Sequence, residues 1–99
     1  SNYMKDLSIS YGQFAKKYLE TERVDLYEEL NSSGKLGEYL INLDQQAIEL
    51  EDRMIREYSE REGVNEELKR SNPLEWVQRL NNIKFQVRNF IQKELIFSI

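Results

Sequence analysis

The chain has 99 residues, enough for one domain with a single compact core. Charged residues make up 32% of it and hydrophobic residues 39%, with eleven aromatics (one Trp, six Tyr, four Phe), a balance too apolar for a disordered tail and too polar for a membrane protein. Cysteine and histidine are both absent, which excludes a disulfide framework, a thiol nucleophile, Cys/His zinc sites and His-dependent triads within the chain, and the net charge of −4 gives no overall attraction to nucleic acid.

Residues 1–9 read as an N-terminal tail, with Ser1-Asn2 ahead of Met4 as an expression scar, and residues 10–99 as a single all-α domain. No apolar run approaches the ~20 residues of a membrane span. The basic, apolar and small-residue pattern of a leader is also missing. A cytoplasmic protein with no membrane contact is expected.

Ser10-Tyr11-Gly12-Gln13 has capping-box spacing, with Ser10 as N-cap. Phe14, Tyr18 and Leu19 then share a helical face, while Val24, Leu26, Tyr27 and Leu30 are out of phase with it. The phase jump predicts two short helices, over 11–20 and 22–31, with a bend near Thr21. Asn31-Ser32-Ser33-Gly34 ends the second, because serine and asparagine compete with helical hydrogen bonds and glycine tolerates left-handed angles.

A long helix is predicted from Lys35 to about Glu62. Leu36, Leu40, Leu43, Ala47, Leu50 and Met54 alternate steps of four and three, and Ile41, Ile48 and Ile55 run beside them as a second line. Two adjacent lines imply cover from two directions. The outer face offers Glu49–Arg53, Asp52–Arg56 and Glu57–Arg61 as favourable pairs one turn apart.

Gly63 stops this helix, and Asn65 caps a short turn through Glu66 to Lys69. Asn72 is the next N-cap, Pro73 sits at the first helical position and Glu75 completes an approximate capping box. Trp76, Leu80, Ile83, Val87 and Phe90, flanked by Val77, Ile91 and Leu95, give a last helix to about Ile96. Trp76, Leu80, Ile83 and Val87 should face Leu43, Ala47, Leu50 and Met54, with Trp76 in the core. The expected fold is a small helical bundle built on a long antiparallel hairpin, with two short N-terminal helices packed on the Ile41/Ile48/Ile55 side.

Charge divides unevenly across the hairpin. Residues 36–62 carry eight acids against three arginines, net −5, and residues 73–99 carry four bases against Glu75 and Glu94, net +2. Exposed pairs of this kind contribute tenths of a kcal/mol each, about 0.2–1. Paired carboxylates can hold Mg²⁺ or cleave glycosides, but nearly all of these face solvent with an arginine one turn away. Glu94 alone falls in an apolar stripe, and at a helix end it should be partly exposed and paired with an arginine. There is no Walker loop, glycine-rich phosphate loop or Gly-x-Ser-x-Gly elbow. No catalytic, cofactor-binding or metal-binding residue is predicted.

Gln78, Asn82, Gln86, Asn89 and Lys93 line one face of the last helix, with Arg79 and Arg88 assigned to its borders. Amides and arginines read base edges in the major groove, and the same composition suits a solvated face or an interface rim. Arg79, Asn82, Gln86, Arg88 and Lys93 are therefore the candidate contacts to a partner or to DNA. Ile41, Ile48 and Ile55 are the candidates for self-association, because a chain this short has few helices to cover both lines on the long one.

The residues also carry a resemblance. Tyr18-Leu19, Arg23, Leu26-Tyr27, Leu30, Ser33-Gly34-Lys35-Leu36, Tyr39-Leu40, Asp44 and Gln46-Ala47 begin it. Arg61-Glu62-Gly63-Val64, Glu66, Leu68-Lys69, Asn72, Glu75-Trp76-Val77, Arg79 and Asn81-Asn82-Ile83 are its most distinctive part, and Glu94-Leu95-Ile96 closes it. Over about four-fifths of its length the chain resembles the transposon-encoded protein TnpV family. The resemblance implies a bacterial mobile element as the setting and carries over no catalytic residue. It also implies a longer N-terminal segment than this chain has, and often a proline where Val24 stands, in keeping with the bend.

Two functions follow as expectations. The first is a non-catalytic accessory protein acting through protein contacts, with a transposase or a second copy as partner. The alternative is a DNA-binding accessory or regulator of transposition that uses the last helix. An enzyme would require a metal bridging acids from different helices.

Overall fold

The computed structural model describes residues 10–99, so the tail expected over residues 1–9 lies outside the described residues. Five helices follow one another: α1 (Tyr11–Glu22), α2 (Val24–Ser32), α3 (Leu36–Glu62), α4 (Glu66–Ser71) and α5 (Pro73–Ile91), the last running on into a π turn over Gln92–Ile96. Among the described residues there is no strand. The all-α hairpin with two short N-terminal helices is the architecture expected.

Most helix boundaries fall where side chains satisfy groups that the helix itself leaves unpaired. The Ser10 hydroxyl accepts from Gln13 N at 3.1 Å, Asn65 Oδ1 from Leu68 N at 2.9 Å and Asn72 Oδ1 from Glu75 N at 3.2 Å. Gly34 and Gly63 adopt left-handed φ of 75° and 70°. After each glycine the chain reaches back five residues, Lys35 N to Leu30 O at 2.9 Å and Val64 N to Ser59 O at 2.9 Å. That is the Schellman closure, and Val64 is buried to complete it. The predicted bend lies at Arg23, whose φ of −136° and ψ of 58° interrupt the helix, and Arg23 pairs with Asp25 in the first turn of α2. That hydrogen bond holds the Asp25 carboxyl below the usual carboxylate range.

The core is one cluster in which Leu43 and Ala47 of α3 meet Ile83, Val87 and Ile91 of α5, and Tyr11, Phe14 and Ala15 of α1. Leu50, Met54, Leu80 and Trp76 pack against it half-buried. Trp76 is therefore less enclosed than expected. Its ring lies under the Lys69 ammonium, 4.8 Å from the centroid, and so joins the short α4 to α5.

Three expectations are corrected. Helix α1 does not cover the Ile41/Ile48/Ile55 line but reaches α3 between it and the Leu40/Ala47 line: Gly12 N donates to Asp44 Oδ1 at 3.0 Å and Tyr11 OH to Glu51 Oε1 at 3.0 Å, which leaves Ile41 and Ile48 exposed. Small residues explain the choice. A Cβ at Gly12 would stand 3.2 Å from Leu40 O, tighter than most side-chain contacts, so glycine eases this close approach of α1 to α3. Secondly, the stripe on α5 follows Ile83, Val87 and Ile91, leaving Phe90 46% exposed. The π turn then adds a residue, with Phe97 N bonded to Gln92 O at 2.9 Å, so Gln92 and Ile96 are buried while Glu94 is exposed. Thirdly, the ion pairs closing within 4 Å among the described residues include Lys16–Glu20, Arg23–Asp25 and Arg88–Glu51, and none of the three expected along α3, nor one from an arginine to Glu94.

Gly12→Ala is a direct check on the packing of α1. Alanine improves helix propensity by about 1 kcal/mol, but the Cβ would press on a backbone oxygen that belongs to α3 and cannot swing away. Overpacking of this kind costs about 1–3 kcal/mol. A net loss of about 1 kcal/mol in urea unfolding is expected, and a stabilised variant would show that α1 sits farther from α3.

Candidate interaction surface

The candidate residues on α5 do not form one surface. Asn82, Gln86 and Lys93 are exposed, as are Gln78 and the apolar Leu74, Val77 and Phe85 elsewhere on the helix. Arg79 is half-buried, and its Nη2 donates to Glu62 O at 2.7 Å, where it satisfies a carbonyl at the C-terminal end of α3.

Arg88 is the clear correction. It is 6% exposed and its guanidinium carbon lies 4.4 Å from the Tyr11 ring centroid, with Nη1 4.0 Å from Glu51 Oε1. At 100° per residue Arg88 stands about 120° round the helix from Asn82, so it points to the α1 side instead of bordering the amide strip. Tyr11, Glu51 and Arg88 form the joint among three helices. Burial first, then the Glu51 charge, pushes the Tyr11 hydroxyl above the usual tyrosine value and keeps it a donor. Because its folded value is raised, this contribution is complete below the ordinary pKa of about 10 and is lost only as pH rises beyond it.

Sequence reasoning missed this joint, and it missed Gln92, which is wholly buried with no hydrogen-bond partner for either amide atom. One signal was present. Arg88 adjoins Val87 and lies three residues before Ile91, so a slowly rotating apolar stripe passes beneath it.

On α3 the second line is largely uncovered. Ile41 is 59% and Ile48 43% exposed, while Ile55 is half-buried against the core. Beside Ile41 a shallow groove of about 310 Å³ opens between α1 and α3, lined by Gly12, Gln13, Lys16, Gly37 and Leu40 among others. Nothing stands within 4 Å of where a Gly37 side chain would be, so the groove floor is bare. Asp44 and Asp52 flank the Ile48 turn in sequence, four residues to either side, and give this edge an acidic border.

Among the described residues no three acids are placed to hold a metal ion. No helix among them is long and apolar enough to cross a membrane. The surface is thus an exposed aliphatic edge with acids beside it on α3, and a mixed amide and apolar face on α5.

Comparison with curated proteins and with solved structures finds no match. The family model described as transposon-encoded protein TnpV matches residues 4–96, nearly the whole chain, and spans every helix described above. The chain belongs to the TnpV family of transposon-encoded proteins.

Proposed function

We propose that this protein is a non-catalytic accessory of a bacterial transposon that works by docking another protein on the Ile41/Ile48 edge of α3. The observation that carries the reading is that edge: two isoleucines stand largely exposed beside an open groove, in a helix whose other apolar line is packed. Exposed apolar side chains aligned on one helix edge beside a groove suit a contact surface. The acids around them favour a partner with lysines or arginines around its apolar anchors, and a transposase, which must itself bind DNA, has that chemistry. The same acids would oppose each other if this edge met its own copy, so we assign it to a different protein.

The DNA-binding alternative keeps Asn82, Gln86 and Lys93 as contacts but loses its arginines, since Arg88 is buried and Arg79 is engaged by α3. A pull-down from the native host with the full-length protein separates the two, using nuclease-treated and untreated lysates. Recovery of the element's transposase after nuclease treatment is expected. Recovery of element DNA, with any protein lost on nuclease treatment, would favour the alternative.

A further inference from the structure

Where α1 meets the C-terminal end of the chain, aromatic rings and a carboxylate share one opening. Phe14, Tyr18, Thr21 and Glu22 lie within about 100° of one another round α1 at 100° per residue. With Phe97 they line an open groove of about 310 Å³. Phe14 is buried, Tyr18 half-buried and Phe97 40% exposed. The Tyr18 hydroxyl donates to Phe97 O at 3.0 Å, which ties the two residues together, and their ring centroids stand 5.3 Å apart with planes inclined by 43°.

The negative charge at this groove is not balanced within the chain. Glu22 is exposed, and among the described residues it closes no ion pair. It is also the last residue of α1, a helix with no basic residue in its last turn. The carbonyl end of a helix carries partial negative charge that a cation there offsets. Neither nearby base supplies one, because Arg23 is turned to Asp25 at 3.3 Å and Lys16 lies 3.9 Å from Glu20.

We propose that this groove receives an arginine side chain from a basic segment of another protein, its guanidinium laid on the Tyr18 and Phe97 rings and bonded to the Glu22 carboxylate. Ring geometry selects the cation. A quaternary ammonium is held in a cage of rings that surround it, whereas these rings touch each other and offer an open platform. A flat guanidinium stacks on such a platform and turns its N–H edge to a carboxylate in two parallel bonds. A lysine ammonium is a compact, strongly hydrated charge and gains less from the aromatic surface. An acidic segment would meet Glu22 as a like charge, and a purely apolar one would strip it of water without a partner. The groove shares no residue with the one beside Ile41, so the proposal holds whether or not that edge takes a partner.

Nuclear magnetic resonance titration of the full chain with acetyl-Gly-Arg-Gly-amide tests the proposal, read at the ring protons of Tyr18 and Phe97 and the backbone amide of Glu22. Saturable shifts centred on these residues are expected, with the matching lysine peptide bound at least about threefold more weakly. Glu22→Gln should weaken the arginine peptide at least about threefold, and so should Phe97→Leu, which keeps an apolar side chain on Phe14. Glu20→Gln, about 160° round α1 from Glu22, should leave the affinity unchanged. Circular dichroism checks that each variant keeps its helicity, and Glu22→Gln decides the matter even if Phe97→Leu loosens the C-terminal end. Shifts that fail to saturate, equal binding of the lysine peptide, an unchanged affinity in Glu22→Gln, or an equal loss in Glu20→Gln would each overturn the assignment.

Discussion

Phe14→Ala is expected to lower the free energy of unfolding by about 3–5 kcal/mol, the loss that follows truncation of a large aromatic side chain in a core. Phe14 is 1% exposed, belongs to the cluster that joins α1 to α3 and α5, and lies 5.4 Å from the Phe97 ring. Tyr18 adds to the same clasp, with its ring 5.3 Å from Phe97 and its hydroxyl donating to Phe97 O at 3.0 Å. Truncation at Phe14 thus opens a cavity where the two ends of the domain meet. For a domain of about 100 residues each kcal/mol shifts the Tm by about 4–8 °C, so a fall of about 12–40 °C follows. Thermal and urea unfolding followed by circular dichroism measure both. Phe97→Ala is the control, since that ring is 40% exposed and its loss should cost less than half as much. Equal effects from the two would show that the clasp, and not the core cluster, holds α1 in place.

Arg88→Ala should destabilise the fold by about 2–4 kcal/mol, although an arginine on a helix surface would lose a few tenths at most. Its guanidinium lies over the Tyr11 ring and against Glu51, and its side chain is 8% exposed. The substitution removes the packing of the aliphatic stem, the cation–π contact and the charge facing Glu51. Glu51 keeps 24% of its side chain in solvent, which moderates the cost of leaving it alone. Arg88→Met restores the stem without the charge and should recover about half of the loss. An unchanged urea midpoint for Arg88→Ala would return this residue to the surface and to the candidate contacts.

The caps and stops were legible because each depends on one or two residues and its own backbone. Ser10, Asn65, Asn72, Gly34 and Gly63 act where the sequence places them. The face that α3 and α5 turn to each other was legible for a similar reason, since helical periodicity is local. Where on α3 the first helix would lie was not. Both lines are apolar, and the choice turns on how closely Gly12 approaches Leu40 O, a distance between residues far apart in the chain. The π turn depends likewise on the C-terminal clasp, where Phe97 meets Phe14 and Tyr18.

The candidate surface divided along the same boundary. Asn82, Gln86 and Lys93 are exposed, because the middle and outer face of α5 meet only solvent in one chain. Arg88 is enclosed because a third helix arrives beside it, and the one sign of it within α5 is the apolar stripe of Val87 and Ile91 passing next to it. Ile41 and Ile48 emerged as an uncovered edge for the converse reason: the helix expected to lie on them meets α3 beside them, at Leu40, Asp44 and Glu51.

The proposed docking of a protein partner of the transposon on the Ile41/Ile48 edge of α3 is measured most directly by calorimetric titration of the element's purified transposase into the full-length protein. Wild type should bind, and Ile41→Glu with Ile48→Glu should weaken binding at least tenfold while leaving the circular dichroism spectrum and the urea midpoint unchanged. Equal affinity for the two proteins, or no heat of binding from wild type at concentrations of hundreds of micromolar, would contradict the claim.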